Sequence, residues 1–181
     1  MPIIKPVGVE SADATTREIL TAVKNKMGMV PNLISTMAQS PAVANAYLGF
    51  SQALGDGRLS ARMREQIALT VGEANSCHYC VSAHSVLAKG AGANEEDVLA
   101  ARRGNSSDGK EQAALEFAQV VVNSRGVVGD DDVEQLRTSG FDDGEICEIV
   151  ANVALNIFTN YFNHIAGTEI DFPLAPALAT A

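Results

Sequence analysis

The sequence predicts an all-α fold, and three observations carry that expectation. Helix start and stop signals divide nearly the whole 181-residue chain into segments of ordinary helical length. No run of alternating β-branched residues competes with them. Aromatic residues make up only 5%, Trp is absent, and Ala, Val and Leu dominate, a composition of small side chains suited to closely packed helices rather than a β-sandwich.

The elements follow in order. A first helix is expected from about Asp13 to Lys26, with Ile19, Leu20 and Val23 as its apolar stripe and a stop at Met27-Gly28. Pro31 opens a short helix to about Ala38. Ser40-Pro41 supplies an N-cap and an N1 proline for a helix reaching Leu54, which Gly55-Asp56-Gly57 breaks. Ser60 caps a helix carrying Ile67, Leu69 and Val71 toward Ala74, and Asn75-Ser76 caps another that begins at Cys77 and ends at Lys89-Gly90. Asn94, with Glu96 and Asp97 in the first turn, starts a short helix to Arg103. The run from Gly104 to Gly109 is a solvent loop, followed by a helix from Lys110 to Asn123. Asp130 or Asp131 caps a short helix to Arg137, and Asp142 opens the last and longest one, from about Asp143 to His164. The tail from Asp171-Phe172-Pro173 to Ala181 is expected to be extended, long enough that it could lie across a neighbouring subunit.

Composition bounds the function. A chain of 181 residues with 46% hydrophobic content makes one domain, residues 1–181, with a sizeable core. A net charge of -9 without a basic patch argues against nucleic acid. The only cationic cluster, Arg58, Arg62 and Arg64, reads as a solvated helix face. The apolar stretch around Val150 to Phe158 holds Asn152 and Asn156 and is too short to span a bilayer, so no membrane role is expected. The amino-terminal residues lack the apolar core and cleavage site of a secretory signal, and three cysteines do not make a secreted disulfide framework. The expected location is cytoplasmic.

The chemistry concentrates in one stretch. Two of the three cysteines and two of the three histidines fall between Cys77 and His84, in the order Cys77-His78-Tyr79-Cys80-x3-His84. On a helix Cys77 and Cys80 lie about one turn apart, and Cys80 and His84 share a face. Glu65 joins them on one condition. Along a single straight helix it would stand about 18 Å from Cys77, whereas a hairpin at Asn75-Ser76 runs the second helix antiparallel and brings Glu65 level with His84. A thiol must be shifted toward thiolate to react near neutrality, and both a helix N-terminus and a proton acceptor are on hand. Position at the helix start favours Cys77 as nucleophile and the neighbouring His84 favours Cys80, so the residues themselves leave that choice open.

The span from Leu59 to Gly90, including Ser60, Arg64-Glu65, Cys77, Cys80, His84 and Gly90, resembles the AhpD-like alkylhydroperoxidases of the carboxymuconolactone decarboxylase superfamily, with a looser likeness through Asn94-Glu95-Glu96. The ending Asn160-Tyr161-Phe162-Asn163-His164 with Asp171-Phe172-Pro173 is similar to the peroxidase-related branch. The resemblance implies a helical bundle whose central hairpin carries the CxxC, assembly into trimers or hexamers, and thiol-dependent reduction of a peroxide at the expense of a thiol or protein reductant, with no cofactor or metal. It implies that Cys80 attacks the peroxide, that Cys77 resolves the sulfenic acid to a disulfide, and that Glu65 and His84 relay protons. Better-studied members carry a histidine immediately before the second cysteine, where this chain has Tyr79, with His78 one place earlier. His78 and Tyr79 are therefore candidate modulators, Tyr79 chiefly a packing residue.

Competing readings use the same residues. One is a thiol-disulfide oxidoreductase acting on a protein partner. Another is a zinc-bound or structural oligomeric module, in which His78, Cys147 or His164 completes the ligand set of Cys77, Cys80 and His84. A decarboxylase of the superfamily's other branch would leave the CxxC without a purpose. Cys147, mid-helix in an apolar pattern, reads as a small buried hydrophobe. Glu145 and His164 repeat the interval of Glu65 and His84, but chance and helix C-terminal capping by His164 account for that.

Overall fold

The computed structural model describes residues 1–178, and among them the chain forms nine α-helices and one 3-10 turn, Val9–Ser11, with no strand. The helices are α1 (Ala14–Met27), α2 (Asn32–Met37), α3 (Pro41–Gly55), α4 (Ala61–Ala74), α5 (His78–Gly90), α6 (Glu95–Arg102), α7 (Gly109–Ser124), α8 (Asp130–Thr138) and α9 (Asp143–Ala166). None is long and apolar enough to cross a membrane.

Most boundaries follow from side-chain caps. The Asp13 carboxylate accepts from Thr16 N at 2.8 Å, and the Ser60 hydroxyl accepts from Met63 N at 3.1 Å. Asn94 with Asp97 and Asp142 with Glu145 form reciprocal capping boxes. At α8 the cap differs from the expectation of Asp130 or Asp131. Gly129 is the extended N-cap residue, and Asp132, three positions on, accepts its N–H at 2.8 Å.

α4 is the hub, packing against α5, α6, α7 and α9. Its residues Gln66 through Gly72 are all buried, which explains a run too uniformly covered to show a single apolar stripe. On one side lies a core of Ile67, Leu69, Val71, Leu115, Leu136 and Ile149. On the other, Leu20, Val23, Leu33, Ile34 and Met37 pack with Cys77, Tyr79, Cys80 and Ala83. The CxxC is thus sunk in a hydrophobic core. Of the three arginines expected to solvate a helix face, Arg62 instead bridges Asp97 and Glu111, each at 3.1 Å, Arg64 donates to Leu59 O, and Arg58 pairs with Asp142 at an exposed position.

The α4–α5 hairpin forms where the sequence requires it. Ser76 adopts the left-handed conformation at φ +54°, Cys77 N donates to Gly72 O at 2.8 Å, and Ser76 N donates to Glu73 O at 2.9 Å. These two bonds make a Schellman turn that ends α4 and reverses the chain. Asn75 then ties the turn to α9 by donating to Asn160 Oδ1 at 2.9 Å. Gly72 permits the close approach of α5, since a Cβ there would stand 3.3 Å from Val81 Cγ2 and 3.5 Å from Cys80 Cβ.

The carboxy-terminal tail forms no helix or strand through residue 178, and as far as Pro176 it is bonded to its own chain. Asp171 accepts from Asn32 N at 2.7 Å, Ser82 Oγ accepts from Ala175 N at 3.1 Å, and Arg102 donates to Pro176 O at 2.9 Å. The first backbone N–H of α2, the buried Ser82 hydroxyl of α5 and the buried Arg102 at the end of α6 thus find polar partners in the tail. Residues 179–181 lie outside the described residues.

Candidate active site

The reversal at Ser76 sets α5 antiparallel to α4 and brings His84 to Glu65. Nδ1 of His84 lies 2.7 Å from Oε2 of Glu65, with both side chains about one-fifth exposed. A carboxylate accepting at Nδ1 selects the tautomer that carries its proton there, and so leaves Nε2 as the available base. The expected condition on the hairpin is met.

The two thiols form a second pair. Cys77 and Cys80 are free and buried, and their sulfurs lie 2.8 Å apart in hydrogen-bond contact. Cys77 is not in the first turn of α5, as the sequence suggested, but is its N-cap, because the left-handed Ser76 directs the chain into the helix one residue later. Its sulfur accepts from Cys80 N at 3.4 Å, as a cap oxygen would. The Cys80 thiol hydrogen bond, more than any other influence, draws the Cys77 thiol down to about 6. Reciprocally, that hydrogen bond and burial push the Cys80 thiol up. The pair therefore gives up its first proton readily and holds the second, with one negative charge shared across a short sulfur-to-sulfur path.

α9 supplies what sequence reasoning missed. Asn152, Asn156, Thr159, Asn160 and Asn163 are all buried on one face of this helix. Asn163 Nδ2 donates to Cys80 Sγ at 3.2 Å and stands 3.9 Å from Cys77 Sγ, and contact with Asn160 also favours the Cys80 thiolate. The signal was present: amide and hydroxyl residues recur with helical period in an otherwise apolar segment, which marks a polar stripe facing something other than a hydrophobic core.

The remaining candidates separate. His78 is exposed at the start of α5. Tyr79 is buried, its hydroxyl accepts from Leu33 N at 3.2 Å, and its ring meets Phe172 edge-on at 5.9 Å. Burial pushes its phenol well up, so Tyr79 cannot trade protons as a histidine would. Cys147 is exposed rather than buried, because it falls on the outer face of α9. Glu145 and His164 sit on one unbroken helix about 28 Å apart, so they form no second hairpin. Among the described residues no three His, Cys, Asp or Glu side chains gather as a metal-ligand set.

The two pairs meet at a cavity of about 490 Å³ between α1, α3, α4, α5 and α9, lined by Cys80, Glu65, His84 and Tyr47 among apolar walls from Leu33, Leu48, Leu87 and Phe172. Cys77 is not part of the lining. Cys80 and His84 are not hydrogen-bonded to each other, but α5 carries both and both line the cavity.

Residues 41–122 match the carboxymuconolactone decarboxylase family. An uncharacterized peroxidase-related protein with an alkylhydroperoxidase AhpD core from Ralstonia eutropha JMP134 superposes with a TM-score of 0.85 at 26% identity, covering 94% of this chain and 92% of that one. The chain thus carries a segment similar to this family within a fold similar to that of an AhpD-core protein. Its fold recurs in an uncharacterized peroxidase-related protein from Silicibacter sp. TM1040, with a TM-score of 0.81, 24% identity and coverage of 92% of each chain. It recurs again in the debrominase Bmp8 in complex with 2,3,4-tribromopyrrole, with a TM-score of 0.80, 24% identity and coverage of 93% of this chain and 91% of that one. No curated protein matches the chain by sequence. The family segment contains α3 to α6 and most of α7, and so includes both pairs, whereas the asparagine face of α9 lies outside it.

Proposed function

We propose that the protein is a thiol-dependent peroxidase that reduces an organic hydroperoxide with Cys80 and Cys77 and regenerates the dithiol from an external thiol. The matched family contains enzymes, and the observation that carries this reading is that Cys80, hydrogen-bonded to Cys77 behind it, lines the same cavity as the Glu65–His84 pair. Proton transfer from the Cys80 thiol toward His84 leaves a thiolate at the cavity wall. Its sulfur attacks the terminal peroxide oxygen, the O–O bond breaks, and the alkoxide departs with the bonding electrons and takes the proton from His84. Cys80 becomes a sulfenic acid. Cys77 attacks it, forming the disulfide and releasing water.

Burial of both sulfurs favours this over exchange with a protein disulfide, because Cys77 and Cys80 are 1% and 2% exposed and a bulky partner has no direct approach. The same limit favours a small thiol as reductant. Zinc is disfavoured by the donors themselves: Nδ1 of His84 is committed to Glu65, and Cys147 faces outward. Self-association is part of the proposal, supported by the exposed apolar stripe of Val150, Phe158, Tyr161 and Ile165 along α9.

The test is a titration of the reduced protein with cumene hydroperoxide. Loss of two thiols per chain, abolished in Cys80→Ser, is expected. Thiols that survive excess peroxide would overturn the reading.

A further inference from the structure

Within the cavity a phenol has no protein partner. Tyr47, on α3, is half-buried, lines the same cavity as Cys80, Glu65 and His84, and its hydroxyl makes no hydrogen bond with any described residue. The contrast with Tyr79 is direct, since that hydroxyl is occupied by Leu33 N–H. A phenol set in a largely apolar cavity without a protein partner is a donor held ready for something that enters.

From this placement we infer that Tyr47 is a further catalytic residue, whose O–H donates a hydrogen bond to the peroxide oxygen that departs as alkoxide. The inference rests on the peroxidase reading. Negative charge appears on that oxygen as the sulfur forms its bond to the terminal oxygen and the O–O bond breaks, and a donor already aimed at it lowers the barrier. Sulfur is oxidised to the sulfenic acid, and the peroxide is reduced to an alcohol whose new proton comes from His84. Tyr47 keeps its own. Its protonation supports this role: burial, with the charges of Cys80 and Glu65, pushes the phenol up to about 12, so it stays a donor at neutral pH and beside a thiolate. The arrangement also explains why Cys80 and His84 need no direct bond, because the substrate's two oxygens span the space between sulfur, imidazole and phenol.

Stopped-flow oxidation of reduced wild-type and Tyr47→Phe protein, with two oxidants, separates the outcomes. Cumene hydroperoxide expels a basic alkoxide that needs the donor, whereas a peroxycarboxylic acid expels a stable carboxylate that does not. The expected result is a rate loss of about tenfold or more with the hydroperoxide and a change within about twofold with the peroxyacid. Equal rates of wild type and variant with the hydroperoxide would overturn the role of Tyr47 while leaving the peroxidase reading intact, and so would equal losses with both oxidants. A wild-type protein inert to both would instead sink the peroxidase reading, and this inference with it.

Discussion

His84 and Glu65 meet at 2.7 Å across nineteen residues of chain, and the turn at Ser76 is what joins them. The contact fixes the imidazole tautomer and gives the developing imidazolium a counter-ion, which ties the fold of the hairpin directly to proton transfer.

Removing the charge while keeping the shape tests that link. Glu65→Gln retains a hydrogen-bonding oxygen at Nδ1 but no longer stabilises the protonated ring. Pre-steady-state oxidation of the thiols by cumene hydroperoxide is expected to slow by about a hundredfold. Stability should change by only about 1 kcal/mol, because the pair is partly exposed.

A pH titration reads the thiol pair. In a Cys147→Ser background, thiolate absorbance should show one step near pH 6, with the second thiol still protonated above the ordinary thiol range. Reactivity with peroxide rises as pH climbs through that step. Because the folded pair releases its first proton more easily than an unfolded thiol of about 9, the reduced protein gains stability as pH rises from 6 toward 9 and loses it as pH falls through 6. A single step near 9 would contradict the coupling.

The asparagine face of α9 has its own signature. Asn163→Leu removes the donor 3.2 Å from Cys80 Sγ, so the first thiolate step should move up by about one pH unit, the equivalent of a hydrogen bond to a charge worth roughly 1.4 kcal/mol. An unmoved titration would show that Asn163 only fills space.

The turn itself carries strain that can be relieved. Ser76→Gly removes the Cβ from a left-handed residue and should stabilise the fold by about 0.5–1 kcal/mol, read as a rise in Tm with peroxide reactivity unchanged.

Much of this was legible before the structure. Caps such as Asp13, Ser60 and Asp142 declare themselves because they act within three residues, and CxxC-x3-His is local to one helix. Glu65 was legible only through the Asn75-Ser76 break, a local signal with a long-range consequence. What the sequence hid depends on how helices are arranged in space. Cys147 looked buried because its neighbours are apolar, yet α9 turns that face outward. Tyr47 and Asn163 lie 33 residues before and 83 after Cys80 in the chain, and no local pattern connects them to it. Tyr79 stands where the resemblance implies a histidine, and its commitment to Leu33 is a tertiary contact that no spacing rule reveals.

The central claim is that Cys80, at the cavity wall, is the sulfur that peroxide oxidises, although Cys77 is the thiol drawn down in pKa. Mass spectrometry of Cys77→Ser and Cys80→Ser proteins, treated with cumene hydroperoxide and trapped with dimedone, tests it most directly. A sulfenic acid adduct is expected on Cys80 in the Cys77→Ser protein and none on Cys77 in the Cys80→Ser protein. The reverse pattern would contradict it.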